Sequence, residues 1–308
     1  MKPGTSRLAL TPRQCEGLIA GEGGSSSPFP LAGEGPGVRA MAVGVRNRRG
    51  LALLALALLP VSAYAADPTS VYRQMLAEDN PAELAVGHGQ QLWEQPRGPR
   101  QAALTACDLG QGPGVVKGAF AALPRYFADT ASVMDAESRL VHCMVTIQGF
   151  DRQQLAAAPF SEAGAPQTDL EALVAYVAAQ SRGAKIRVPQ SKSEEHDSYA
   201  RGRDLFYRRA GPHDFSCATC HGADHLRIRL QELPNLTRPE GARSAFAHWP
   251  AYRVSQGAVR TMQWRLSDCV RQQRWPQLIF GSQASIDLST YLGVLATGGT
   301  MDAPSVRR

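Results

Sequence analysis

Residues 215–222 read Phe-Ser-Cys-Ala-Thr-Cys-His-Gly and contain Cys217-x-x-Cys220-His221. This is the pattern by which a c-type haem is attached covalently. Two thiols must reach the two vinyl groups on one edge of a porphyrin, and the adjacent imidazole must face the iron. A helix that starts at the first cysteine does both, because residues three and four apart share a face. The alternative is a zinc or thioredoxin-like C-x-x-C followed by a chance histidine. No second C-x-x-C completes a zinc site. The cofactor expected is therefore one covalently bound c-type haem, with Cys217 and Cys220 as anchors and His221 as the proximal ligand.

Composition and compartment agree with this chemistry. The chain has 308 residues, 44% hydrophobic and 19% charged, which are the proportions of a soluble globular protein of about two domains. Its formal net charge of +6 sits largely at the N-terminus, since 26 basic and 24 acidic residues remain from Asp67 onward. The basic balance is no argument for nucleic-acid binding. Residues 41–66 read as a secretory signal peptide, with Arg46, Arg48 and Arg49 ahead of an apolar run and Ala63-Tyr64-Ala65 as the cleavage site. The apolar run is too short to span a bilayer, although a retained membrane anchor is the alternative reading. Residues 1–40 are Gly/Ser/Pro-rich and read as a mis-assigned N-terminal extension, with translation starting at Met41. The mature chain is expected in the periplasm without a membrane anchor, where disulfides persist.

The elements that must position the motif are mostly helical. Helical spacing is expected over residues 67–95 with a break at Asn80-Pro81, over 134–148, over 169–180 with Asp169 as N-cap and Gly183 as stop, over 199–209, over 246–259 with an interruption at Pro250, over 261–274 and over 286–296. Residues 153–167 read as loop and 184–197 as a polar connector. The fold class expected is all-α, in two domains: residues 67–185 and 190–308.

The two halves repeat. Gly89-x-x-Leu92-Trp93 matches Gly202-x-x-Leu205-Phe206, and eighteen residues then lead from each glycine to Cys107 and to Cys220. Arg139-Leu140-x-x-Cys143 matches Arg265-Leu266-x-x-Cys269, and Asp169-Leu170 matches Asp287-Leu288. In the first half Leu104 stands in the place of Cys217 and Asp108 in that of His221. The N-terminal domain is therefore expected to lack haem, and Cys107 and Cys143 to close a disulfide instead. A metal site using His142 and Cys143 is the rival reading.

The distal side of the iron is open between Met262, Met301, His225, His248 and Cys269. Methionine is the ordinary choice. Cys269 is favoured as an unpaired cysteine of an exported chain in a repeated slot, where Met262 is matched only by Ala136. A small buried core cysteine is the bland alternative. Arg260, Arg265, Arg271 and Arg274 surround Cys269 in sequence, and Arg265 lies four residues away on one helix face. A guanidinium there would stabilise a thiolate and attract an oxyanion.

At these residues the chain resembles SoxA, the larger cytochrome subunit of the SoxAX complex of thiosulfate oxidation. The resemblance is carried by residues 107–130, ESRLVHCMVTIQGF (137–150), FSCATCHG (215–222), MQWRLSDC (262–269) and the tail from Gly281, and covers nearly all of 70–308. It implies two cytochrome c-like domains in the monohaem form. It implies a SoxX-type small cytochrome and the SoxYZ carrier as partners, and joining of thiosulfate to a carrier cysteine. Cys269 would be the distal ligand and active-site sulfur, able to carry a persulfide, and Arg265 the active-site arginine. A thiosulfate dehydrogenase forming tetrathionate and a plain electron-transfer cytochrome c are the competing functions.

Overall fold

The structure, a computed structural model, describes residues 79–228 and 231–307. The proposed extension 1–40 and signal peptide 41–66 lie outside the described residues. Among these, helices dominate, and the strands are seven pieces of two or three residues. The fold is thus helical, with small sheets that the all-α expectation leaves out.

Two helix pairs carry the frame. In the first half α1 (Ala82–Glu94) packs on α4 (Asp169–Ala179), and in the second α5 (Ser193–Tyr207) packs on α9 (Gln283–Leu295). Each pair meets at a glycine. A Cβ built on Gly89 would lie 2.0 Å from the carbonyl oxygen of Ala172, and one on Gly202 would lie 1.9 Å from that of Asp287. One turn on, Trp93 meets Tyr176 with ring centroids 6.2 Å apart, as Phe206 meets Tyr291 at 5.1 Å. The repeat is therefore real at the level of contacts. Its last correspondence is corrected: the glycines pair Ala172 with Asp287, three residues away from the Asp169–Asp287 match. Asp169 instead pairs with Arg97 on the surface, whereas Asp287 is buried and holds Arg201 at 2.7 Å.

Between these pairs lie shorter elements: β1 (Arg125–Phe127) and β2 (Ser132–Met134), α2 (Ala136–Cys143) running into a π-turn (Met144–Gln148), and α3 (Arg152–Ala157). Residues 153–167 read as loop in the sequence, but Asp151 caps a short helix there by accepting from the Gln154 amide at 2.8 Å. Thr168, not Asp169, is the N-cap of α4, in a capping box with Glu171. The polar connector is also half helix. α5 begins at Ser193, where the buried Glu195 carboxylate folds back to accept from the amides of Ser191 and Lys192 just ahead of the helix.

The second half adds α6 (Cys217–His221), a β3–β4 pair (Arg227–Ile228 and Gln231–Glu232), α7 (Pro239–Phe246), β5 (Ala251–Arg253), β6 (Ala258–Arg260), α8 (Met262–Gln272) and β7 (Ser305–Arg307). The helix expected over 246–259 is two strands. Pro250 denies the helix an amide, Gly257 turns at φ +64, and β7 supplies a parallel partner from the far C-terminus.

A buried polar seam joins the halves and sets α8. The Gln263 side chain donates to Asp135 at 2.6 Å and to Ser138 at 3.2 Å, and its backbone amide donates to Glu137 at 3.1 Å. Its side-chain oxygen accepts from Gly281 and Ser285. Beside it Arg260, 1% exposed, pairs with the fully buried Glu171 at 2.7 Å. Burial raises Asp135, and burial followed by the Asp135 charge pushes Glu137 up to about 8.

Two outcomes follow from this frame. Gly202→Ala must force the α5 and α9 backbones apart and should cost roughly 3 kcal/mol in urea unfolding. Glu137 ionises at its ordinary 4.5 when unfolded and near 8 when folded. Its contribution is therefore full below the lower value and lost as pH rises through the higher one. Stability should fall from about pH 5 to about pH 8, and Glu137→Gln should flatten that fall; an unchanged slope in the variant would remove Glu137 as its source.

Candidate functional site

Ser216 starts the helix that carries the attachment motif. Its hydroxyl accepts from the Thr219 amide at 3.2 Å, and its own amide donates to the Thr219 hydroxyl at 2.9 Å. This short α6 presents Cys217 and His221 to a cavity of about 420 Å³, within the range of small-molecule and cofactor sites. Phe206, Leu288 and Leu292 of the α5–α9 pair line it together with Phe246 and Trp249. Cys217, Cys220 and Cys269 are all free thiols and half-buried.

The turn 233–236 wraps behind His221. Nδ1 lies 2.8 Å from the Pro234 carbonyl, which can only accept, so Nδ1 carries the proton and Nε2 keeps its lone pair. The Leu236 amide donates to the His221 carbonyl at 2.9 Å and fixes the same turn. Burial lowers the His221 pKa; the Pro234 carbonyl opposes this and Arg265 adds to it. A neutral ring oriented by its second nitrogen is what an axial ligand requires.

α8 contributes to the same cavity. Met262, Arg265, Leu266 and Cys269 all line the cavity. Met262 and Cys269 are seven residues apart, two turns on one face. The structure thus brings two of the five distal candidates to the cavity. His225 is exposed and paired with Glu232, and His248 is turned to the Ser244 carbonyl and Asp302. Met301 is buried away from the lining. Burial raises the Cys269 thiol, while Arg265 and then Arg253 act against it. Burial also pushes Cys217 up to about 12, with the Gln273 side chain acting against it.

The arginines expected around Cys269 divide. Arg265 lines the cavity, donates to Asp268 at 3.1 Å and has its guanidinium 6.0 Å from the Trp249 ring centroid. Arg260 belongs to the seam, and Arg271 is exposed and held by Asp268 at 2.6 Å. Arg274 is not on the lining. Sequence reasoning missed Arg253 and Arg307, which do line the cavity. They come from β5 and β7, and no local spacing connects them to Cys269.

The first half treats the same positions differently. Cys107 and Cys143 form a disulfide with Cα atoms 5.7 Å apart. Leu104 is fully buried, and the Asp108 carboxylate accepts from the amides of Gly110 and Gly112 at 2.6 and 3.0 Å. Arg139, the counterpart of Arg265, is buried, bound through both oxygens of Asp129, and stacked 4.0 Å from the Phe127 ring centroid. The metal site read at His142 and Cys143 is excluded by the disulfide.

A family model described as the SoxA/TsdA cytochrome c domain matches this chain twice, over residues 88–186 and 201–301. The chain belongs to this family. It is 49% identical to the L-cysteine S-thiosulfotransferase subunit SoxA of Hydrogenophilus thermoluteolus, over 77% of this chain and 86% of that one. It is 31% identical to the subunit of that name from Hydrogenobacter thermophilus, over 74% and 82% of the two chains. The crystal structure of SoxXA from P. pantotrophus shares the fold, with a TM-score of 0.64 at 24% identity, covering 77% of this chain and 84% of that one. The double match falls on the two halves that the glycine crossings define. No described helix is long and apolar enough to cross a membrane.

The disulfide gives a direct check. Titration under denaturing, non-reducing conditions should leave Cys107 and Cys143 unreactive, and reduction should lower the unfolding free energy by about 2–4 kcal/mol. Two additional reactive thiols before reduction would disprove the bridge.

Proposed function

We propose that this chain is an L-cysteine S-thiosulfotransferase subunit that carries one c-type haem. It would work with a SoxX-type small cytochrome to join thiosulfate to a cysteine of a SoxYZ-type carrier. The observation that carries the reading is the convergence of Cys217, His221, Arg265 and Cys269 on one cavity. Cys217 and Cys220 are the covalent anchors, His221 the proximal ligand, and Cys269 the distal ligand and reactive sulfur. The half-buried cavity with its apolar walls and prepared imidazole fits a haem, and when bound the haem supplies a one-electron acceptor beside the sulfur. The N-terminal domain, residues 67–185, is read as haem-less, since its cysteine is spent in a disulfide and Leu104 and Asp108 offer no anchor or ligand. The haem domain is residues 190–308, and the signal at 41–66 exports the chain to the periplasm.

The chemistry asked of these residues balances. A carrier thiol and a thiosulfate dianion form one S–S bond and release one proton and two electrons, which would leave through haem. Bringing a dianion to a thiolate is opposed by Coulomb repulsion, and Arg265 beside Cys269 offsets it. A covalent sulfur intermediate on Cys269 divides the coupling into two easier steps. Met262 on the same lining favours a second reading, a plain electron-transfer cytochrome, and tetrathionate formation would use the same sulfur.

Cys269→Ala and Arg265→Ala should each keep the covalent haem, counted by intact mass, while transfer falls about a hundredfold or more. Wild-type turnover in Cys269→Ala would exclude the sulfur-centred reaction. A methionine-type red-end absorption band in the wild-type oxidised protein would favour Met262. Product analysis with and without the carrier separates transfer from tetrathionate formation.

A further inference from the structure

We infer that Arg253 is the second anion-binding residue of the site, receiving the sulfonate end of thiosulfate beside Cys269; this rests on the function proposed above. β5 and β7 run parallel, and their register sets Arg253 against Arg307. Both residues line the cavity, as does Arg265. Like charges side by side on neighbouring strands are unfavourable, and an apolar wall of Phe246, Trp249 and Leu266 weakens the screening between them. Among the described lining residues Glu232 is the one carboxylate, and it is paired with His225 at 3.0 Å. Arginines therefore outnumber carboxylates on the cavity lining.

Arg253 differs from its neighbours in what it touches. Arg265 is engaged with Asp268, whose carboxylate is also shared with Arg271 and Gln272. Arg307 reaches the Ser244 carbonyl at 3.5 Å. The Nε of Arg253 is buried and has no hydrogen-bond partner among the described residues. A buried donor left unpaired costs free energy and calls for a partner from outside the chain. Burial, and next the Arg265 charge, lower the Arg253 pKa, which an arriving anion would reverse. The planar fork of a guanidinium matches two oxygens of a tetrahedral sulfonate as it does those of a phosphate. With Arg265 near the sulfur to be joined and Arg253 on the oxygens, the dianion is oriented with its outer sulfur toward Cys269.

Calorimetric titration of thiosulfate into the haem-loaded protein, in complex with its partner cytochrome, tests the assignment. Arg253→Gln should weaken binding about tenfold or more, and raise KM by the same factor with kcat little changed. The visible spectrum should stay as in wild type. Arg253→Lys, which keeps the charge and loses the fork, should fall between the two. Unchanged affinity in Arg253→Gln overturns the inference, and so does a shifted haem potential with unchanged affinity, which would give Arg253 to a haem carboxylate. Should Arg253→Gln fail to load haem, Arg253→Lys decides: weaker binding supports the assignment and wild-type binding overturns it. Wild-type protein that binds thiosulfate but transfers none sinks the transferase reading and leaves this inference standing, whereas transfer with an insensitive Arg253 sinks this inference alone.

Discussion

Close backbone contact at Gly202 sets the distance between α5 and α9, and the cavity is built on that distance. Phe206 lies one turn beyond the glycine, and Leu288 and Leu292 flank the facing residues Asp287 and Tyr291. A larger residue at 202 would push these walls apart, because the obstacle is a carbonyl oxygen and not the end of a flexible side chain. The α5 end of the crossing is secured by Asp287, which is buried yet accepts from Arg201, Ser198 and Gln283. Burial of that carboxylate is tolerated because it is paired and hydrogen-bonded.

The first half shows what the same frame does without an anchor motif. Its helices cross at Gly89 with the same aromatic partner one turn on. The space between them is closed from inside, by a disulfide, a buried leucine and an arginine folded onto Phe127 and Asp129. The equivalent arginine of the second half stays half-buried on a cavity wall. One arrangement consumes its polar groups internally, and the other leaves them facing a space that a ligand can enter. The two counterparts differ in state: Cys107 is bonded to Cys143, whereas Cys220 is a free thiol.

Between the halves, α8 is held by buried polar groups and not by apolar packing alone. Gln263 uses both its donor and acceptor sides, and Arg260 is neutralised by Glu171. Such pairs add little net stability relative to apolar contacts, but breaking one is costly, so they specify register. Here the register matters, since Arg265 and Cys269 lie on the same helix, two and six residues past Gln263. The raised Glu137 makes that support sensitive to pH from a position outside the cavity.

Much of this was legible in the residue order. The attachment motif, the glycine spacing, the R-L-x-x-C slot and the disulfide pair are local or repeated patterns, and the physics they encode acts over one or two turns. Where the expectation failed, the cause was a partner far along the chain or a side-chain contact that residue letters do not record. Residues 246–259 became strands because β7 arrives from the C-terminus, and α5 began early because Glu195 folds back on the amides of Ser191 and Lys192. The match of Asp169 with Asp287 slipped by three residues because helix contacts, not identical letters, define equivalence. Sequence by itself determined which half carries the C-x-x-C-H motif and which two cysteines could pair, since both depend on residue type at set spacing. Tertiary structure alone decided which of five distal candidates reach the cavity, and it brought Arg253 and Arg307 there. Strand pairing between distant segments creates that neighbourhood, and no linear spacing records it.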